Sequence, residues 1–238
     1  MFLKKITVLT GAGISAESGL KTFRDAGGLW EGHRVEDVAT PEAWEKDPAL
    51  VLTFYNERRL QLQKASPNRA HKILFELESH FKVSIVTQNV DDLHERAGSS
   101  DIIHLHGELK KARSERYGHL IYDCQNDIQM GDKCELGFQL RPYIVWFGEA
   151  VPLLHEAAHK FVEADICIIV GTSLQVYPAA GLIQYLSAAC PIYYIDPHPH
   201  LSPELRNRGN IHLFPLPAQE GMKEVWNKLV VETADHTF

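Results

Sequence analysis

The stretch GAGISAESGLKTFRDAGGLW, residues 11–30, decides how the chain is read. It follows Ile6-Thr7-Val8-Leu9-Thr10, an apolar and β-branched run that predicts a short buried strand. A strand that empties into Gly11-Ala12-Gly13 and then Ile14-Ser15-Ala16-Glu17-Ser18 is a strand–turn–helix unit. The glycines let a bulky polar ligand approach the backbone, and helix N-terminal N–H groups suit an anion such as pyrophosphate. Gly11-x-Gly13-x-x-Ala16 fits the loose dinucleotide pattern. An ordinary dinucleotide site wants an acidic residue about 20 positions on, at the end of a second strand. Here Thr22-Phe23-Arg24-Asp25-Ala26-Gly27-Gly28-Leu29-Trp30 has no strand pattern. An aromatic and an arginine before a Gly-Gly turn read instead as a mobile lid over phosphates and a reacting sugar.

The 238 residues suffice for one sizeable core, or a core with a small satellite. Hydrophobic content of 45% and charged content of 23% fit a soluble globular protein. A formal net charge of −7 disfavours a general nucleic-acid binder. No apolar run reaches membrane-spanning length, and Met1-Phe2-Leu3-Lys4-Lys5 leads into a strand rather than a secretory signal. The four cysteines, Cys124, Cys134, Cys167 and Cys190, form no dense framework, and Cys167 reads as a buried thiol. The expectation is a cytoplasmic monomer with no membrane or nucleic-acid partner.

Along the chain, residues 31–70 read helical in pieces. Thr40-Pro41 and Asp47-Pro48 are helix starts, and Leu50, Leu52, Phe54, Tyr55, Leu60 and Leu62 form an apolar stripe. A further helix is expected over 70–81. Strands are expected over 83–87, 102–107, 142–149, 166–170, 192–195 and 211–214, and helices over 153–163, 179–189 and 221–231. Residues 110–141 lose periodicity and read as an irregular module, and the tail after Glu232 is expected to fray. The fold class is therefore α/β, a Rossmann-type parallel sheet (1–30, 71–109 and 142–238) with a small domain from two insertions, 31–70 and 110–141. Polar residues recur where strands end: Gly11, Gln88-Asn89-Val90-Asp91, His106, Gly171-Thr172-Ser173 and Asp196. In open α/β sheets that edge is where ligands bind.

These residues carry a resemblance. GAGIS (11–15), Thr22-Phe23-Arg24, QNVD (88–91), His106-Gly107, VWFGE (145–149) and GTS (171–173), in this order, resemble the sirtuin family of NAD-dependent protein lysine deacylases. The resemblance implies NAD as cosubstrate and acylated protein lysines as substrates. It implies His106 as general base, drawing a proton from a ribose hydroxyl; a lone His before Gly is otherwise more often structural. Asn89 would orient ribose or water, Asp91 would hold the nicotinamide carboxamide, and Gln88 would contact ribose. The resemblance also assigns Gly11, Ala12, Gly13, Glu17, Val90, Gly171, Thr172 and Ser173 to the cofactor. Phe23 would shield the reactive carbon, Arg24 would steady the phosphates, and Asp196 would lie near the adenosine ribose. Val145, Trp146, Phe147, Gly148 and Glu149 would receive the substrate peptide as an added strand. Nothing in the motif calls for His104.

Tyr55 and Arg58 stand at i and i+3 on one helix face. A phenol beside a guanidinium can bind a carboxylate through charge-assisted hydrogen bonds. The pair resembles the acyl pocket of sirtuins that remove succinyl, malonyl or glutaryl groups; read without the family, it is a surface helix with one aromatic packed inward. The departure lies in the second insertion. Sirtuins usually hold zinc with two CxxC pairs, whereas residues 110–141 carry only Cys124 and Cys134. A metal-free module is expected, packed on Leu120, Ile121, Tyr122, Ile128 and Phe138; the alternative is a makeshift site of His119, Asp123, Cys124 and Cys134. The functional expectation is deacylation, acidic acyl groups included, with an ADP-ribosyltransferase or NAD hydrolase, or a non-catalytic NAD sensor, as rival readings.

Overall fold

A computed structural model describes residues 3–21, 29–30 and 32–231. Phe23, Arg24 and the expected lid over 22–28 lie outside the described residues, as does the tail after Glu232. The strands are β1 (Lys5–Thr10), β2 (Leu29–Trp30), β3 (His33–Arg34), β4 (Lys82–Thr87), β5 (Ile102–His104), β6 (Gly107–Ser114), β7 (Ile121–Asp123), β8 (Leu140–Ile144), β9 (Ile166–Val170), β10 (Ile192–Ile195) and β11 (Ile211–Phe214). The helices are α1 (Gly13–Ala16), α2 (Val35–Val38), α3 (Pro41–Lys46), α4 (Pro48–Lys64), α5 (Arg69–Leu77), α6 (Leu93–Ala97), α7 (Leu154–Val162), α8 (Pro203–Arg206) and α9 (Ala218–Trp226).

Six strands form one sheet in the order β11-β10-β9-β1-β4-β5, and every pairing is parallel. Strand alternation sends Leu9, Val86, Ile169 and Tyr194 to one apolar layer with Phe161 of α7. Ile6, Val8, Ile85, Ile168 and Ile195 go to the other, with Ile73, Leu74 and Met222 of α5 and α9. Burial on both faces explains why these strands read as continuous apolar runs. Cys167 is fully buried as expected, and burial pushes its thiol well above the usual range.

The chain leaves β1 toward β4 on one side, while β9 flanks β1 on the other, so a crevice opens where the strand order reverses. There the loops after β1 and β9 touch through backbone. Gly11 N–H donates to Val170 O (3.1 Å) and Gly13 N–H to Gly171 O (2.8 Å). Gly171 has φ +67°, and a Cβ on it would lie 2.2 Å from Ile14 N. Only glycine permits both the conformation and the approach.

Residues 107–144 are irregular only between their strands, over 115–120 and 124–139. They hold an antiparallel sheet ordered β7-β6-β8, with a register shift between Gly107 and Ala112. The expected five-residue packing is also corrected. Ile121 is 41% exposed, and the buried cluster is Ala112 and Ile128 with Leu52 of α4, flanked by Trp44, Cys124 and Leu140. The module packs both on itself and on the helices beside it, with Leu52 and Trp44 closing the cluster. Cys124 Sγ contacts Asn126 O (3.1 Å) and Cys134 Sγ contacts Ser114 Oγ (3.5 Å). Among the described residues, no three His, Cys, Asp or Glu side chains converge as a metal site. Nor is any helix among them long and apolar enough to cross a membrane.

Both expected helix starts are capped: Thr40 Oγ1 accepts from Ala43 N (3.0 Å), and Asp47 Oδ1 from Leu50 N (2.9 Å). The stripe on α4 differs from expectation. Leu60 is 52% exposed, and Arg58 and Arg59 are buried in its place. Arg59 Nε donates to Leu109 O (2.9 Å) and its Nη1 to Asn56 Oδ1 (2.7 Å), joining α4 to β6. Residues 179–185 form a short 3-10 helix, where a longer helix is expected.

Candidate functional site

The polar residues at the strand ends meet in the crevice. After β4 the chain turns through Gln88, Asn89, Val90 and Asp91. Gln88 Nε2 donates to Thr172 Oγ1 (3.0 Å), linking this turn to the loop after β9. Asn89 Nδ2 donates to Ser15 Oγ (3.2 Å), and Ser15 Oγ donates to Asp91 Oδ2 (2.9 Å). Asp91 is buried, which raises its carboxyl, and the Leu93 N–H and the Ser15 hydroxyl partly offset that. Thr172 is buried, and its carbonyl accepts from Tyr194 Oη (2.9 Å). Ser173 is half-buried beside it. Asp196, after β10, is buried and its Oδ1 accepts from His198 N (2.9 Å). Ala12 is half-buried in the first turn. Glu17 lies outside this cluster: it is exposed, and its two oxygens accept from Gln219 N (2.9 Å) and Nε2 (3.0 Å).

His106 follows β5 and precedes Gly107, whose φ is +82° and whose Cβ, were there one, would lie 2.1 Å from Tyr143 O. That glycine lets β6 start against β8 immediately after the imidazole. His106 Nδ1 lies 3.0 Å from Gln88 O. A carbonyl only accepts, so Nδ1 carries the proton and Nε2 keeps its lone pair. Burial lowers the imidazole pKa, partly countered by the Gln88 carbonyl, so the ring is neutral at pH 7. It can accept a proton at Nε2.

His104, which the sequence motif leaves without a role, supports this turn. Its Nδ1 is 3.2 Å from Asn89 O and its Nε2 2.7 Å from Glu95 Oε1. Burial lowers its pKa, but the Glu95 hydrogen bond and charge outweigh burial and raise it. Two further histidines were silent in the sequence. His71 Nε2 lies 3.5 Å from Ser15 Oγ, and His94 Nε2 lies 3.0 Å from Thr10 Oγ1. Burial lowers His71 to about 4 and His94 well below its usual value, so both are neutral props beneath the crevice. Only a buried position on a helix distinguishes them, and sequence gives little signal of it.

The expected extended run over 142–149 ends at Ile144. Beyond it Val145 N donates to His106 O (2.9 Å) and Phe147 N to Ala39 O (3.0 Å). Gly148, at φ +91°, and the bond from Trp146 N to Glu149 Oε2 (2.8 Å) turn the chain back. Phe147 is exposed and Trp146 buried. Tyr55 and Arg58 are 0% and 8% exposed, so α4 is not a surface helix at this point. Tyr55 Oη accepts from Trp146 Nε1 (3.1 Å), and the Arg58 guanidinium lies 4.8 Å from the Phe54 ring centroid.

A parallel sheet has glycine loops meeting at its switch point, and a neutral histidine is held on the adjoining turn. Comparison with known proteins gives the class. The Sir2 family model matches residues 11–178, and the chain belongs to that family. It is 59% identical over 195 residues (82% of this chain, 83% of the relative) to the NAD-dependent protein deacylase of Helicobacter pylori (strain J99). To the NAD-dependent protein deacylase of Bacteroides thetaiotaomicron it is 53% identical over 234 residues, covering 96% of this chain and 99% of the relative. A solved Sir2 homologue in complex with NAD superposes with a TM-score of 0.85 at 39% identity, covering 98% of this chain and 91% of that one.

Proposed function

We propose that the chain is an NAD-dependent protein lysine deacylase that removes acetyl and acidic acyl groups such as succinyl and malonyl, releasing nicotinamide and O-acyl-ADP-ribose. One observation carries the reading: the hydrogen bond that fixes His106 Nδ1 on the Gln88 carbonyl and leaves Nε2 a free base. The names of the relatives support the same activity.

The crevice suits a dinucleotide. Its glycine loops approach at backbone distance, and the side chains of its turns are amides and hydroxyls rather than a cluster of like charges. When bound, NAD supplies a sugar carbon that loses nicotinamide and a ribose hydroxyl that takes up the acyl group. In this reading Gly11, Ala12, Gly13 and residues 171–173 face the phosphates, Gln88 and Asn89 orient ribose hydroxyls, and Asp91 accepts from the carboxamide. His106 Nε2 takes the ribose proton. Substrate main chain lies along 145–149, whose first N–H is bound to the His106 carbonyl. Tyr55 and Arg58 receive the carboxylate of an acidic acyl group.

The test is mass spectrometry for O-acyl-ADP-ribose after incubation with NAD and an acylated peptide. Wild type forms it. His106→Ala lowers the rate by about 100-fold or more, the scale of general-base catalysis, with the fold retained by circular dichroism. Nicotinamide release at the same rate without peptide contradicts the reading in favour of NAD hydrolysis. NAD binding without any turnover contradicts it in favour of a sensor.

A further inference from the structure

We infer that Trp146 is a positioning residue for acyl selectivity: its indole N–H, donated to Tyr55 and polarised by the Arg141 guanidinium stacked on its ring, turns the Tyr55 hydroxyl so that its own proton faces an acyl carboxylate. The inference rests on the reading of Tyr55 and Arg58 as the acyl pocket.

An indole N–H only donates. At 3.1 Å from Tyr55 Oη it therefore occupies an acceptor position of that oxygen, and the single phenolic proton must point elsewhere. The phenol ring is itself fixed. Trp30 and Phe54 meet it edge-on, with centroids at 6.0 and 5.0 Å. The hydroxyl rotor is the remaining freedom, and Trp146 sets it. Burial pushes the Tyr55 phenol well above its usual range, so the proton stays in place at every pH the enzyme meets.

Trp146 is in turn held at both ends. Its backbone N–H donates to Glu149 Oε2 (2.8 Å), and the Arg141 guanidinium carbon lies 3.2 Å from its ring centroid. Arg141 is buried and fixed by Glu149 Oε1 (2.8 Å), Glu149 Oε2 (3.1 Å) and Ile144 O (2.8 Å), and Arg113 Nη2 also reaches Glu149 Oε1 (3.0 Å). A cation on the face of an indole withdraws electron density and makes its N–H a better donor. The Arg141–Trp146–Tyr55 chain thus runs from β8 of the three-stranded sheet to α4. An acetyl group has no carboxylate to meet the oriented proton, so the device acts on acidic acyl groups selectively.

The experiment measures kcat/KM for succinyl- and acetyl-lysine versions of one peptide in four proteins: wild type, Trp146→Phe, Tyr55→Phe and the double variant. Phe keeps an aromatic ring under Arg141 and removes the donor together with part of the indole, a packing change common to both backgrounds. Trp146→Phe should lower the succinyl-to-acetyl ratio by about 3- to 10-fold, the scale of one neutral hydrogen bond, mainly through the succinyl KM. In the Tyr55→Phe background the same substitution should leave the ratio where it is. A ratio that does not move, or that falls equally in both backgrounds, makes Trp146 mere packing and overturns the inference. A wild type that leaves succinyl-lysine untouched overturns the acyl-pocket reading itself, visible before any substitution, and the inference with it. Should Trp146→Phe not fold, benzothienylalanine at 146 keeps the bicyclic ring without the N–H and gives the same comparison.

Discussion

Replacing Gly171 by alanine tests how the two glycine loops build the crevice. The added Cβ would sit 2.2 Å from Ile14 N, 2.6 Å from Gly13 C and 2.8 Å from Gly13 Cα. All three are backbone atoms, so no side-chain rotation relieves the contact. The loops after β1 and β9 must move apart by roughly 1 Å to restore an ordinary contact of about 3.5 Å. That breaks the 2.8 Å bond from Gly13 N to Gly171 O. The left-handed backbone at φ +67° costs about 1–2 kcal/mol for an L-residue, and the lost hydrogen bond about 1 kcal/mol more. A total of about 2–3 kcal/mol corresponds to a fall of about 4–12 °C in Tm for a chain of this size. Gly137→Ala is the control: its φ is +81°, but nothing lies within 4 Å of the added Cβ. It should show the backbone part alone, about 1–2 kcal/mol. Thermal unfolding and NAD binding by calorimetry read both effects. If Gly171→Ala unfolds at the same temperature as Gly137→Ala and binds NAD as wild type does, the loops do not make the contact described.

Two further outcomes follow from charged groups. Arg58→Met should lower the ratio of desuccinylation to deacetylation by about 10-fold or more, since a hydrogen bond to a charged group is worth about 1.5–3 kcal/mol; equal loss on both peptides rules Arg58 out as acyl selector. Glu95→Gln removes the partner that raises His104 above its usual 6.5, while Glu95 itself lies below 4.5. The His104 contribution is full below 6.5 and lost as pH rises through its folded pKa; that of Glu95 is full above 4.5 and lost as pH falls through its own. Urea midpoints should therefore separate wild type from Glu95→Gln most between 4.5 and 6.5 and least at pH 9, and a gap that widens with rising pH contradicts the ion pair.

The parallel sheet was legible because its strands are buried on both faces and read as unbroken apolar runs, as in Ile166 to Val170. The polar strand ends were legible as a set for the same reason: each closes a recognisable strand. The three-stranded sheet was not. β6 reads Gly-Glu-Leu-Lys-Lys-Ala-Arg-Ser, where Lys111 and Arg113 mask the buried alternation of Leu109, Ala112 and Ser114, and a register shift breaks the period. Arg59 and Arg141 carry no local sign of burial, yet both are buried; Arg59 joins α4 to β6, and Arg141 is held by Glu149 and stacks on Trp146. His71 and His94 belong to helices whose ordinary pattern hides that they face the polar layer under the crevice. Residues that act across elements leave little local signal.

Deacylation by this route depends on the state of one imidazole. ¹⁵N NMR of histidine-labelled protein, with His106 assigned by comparison with His106→Ala, reads its tautomer and pKa directly. The expected result is a neutral ring protonated at Nδ1, titrating below 6.5. A ring protonated at Nε2 at neutral pH would leave no lone pair where the base is needed, and one that titrates above 6.5 would contradict its burial; either result overturns the assignment.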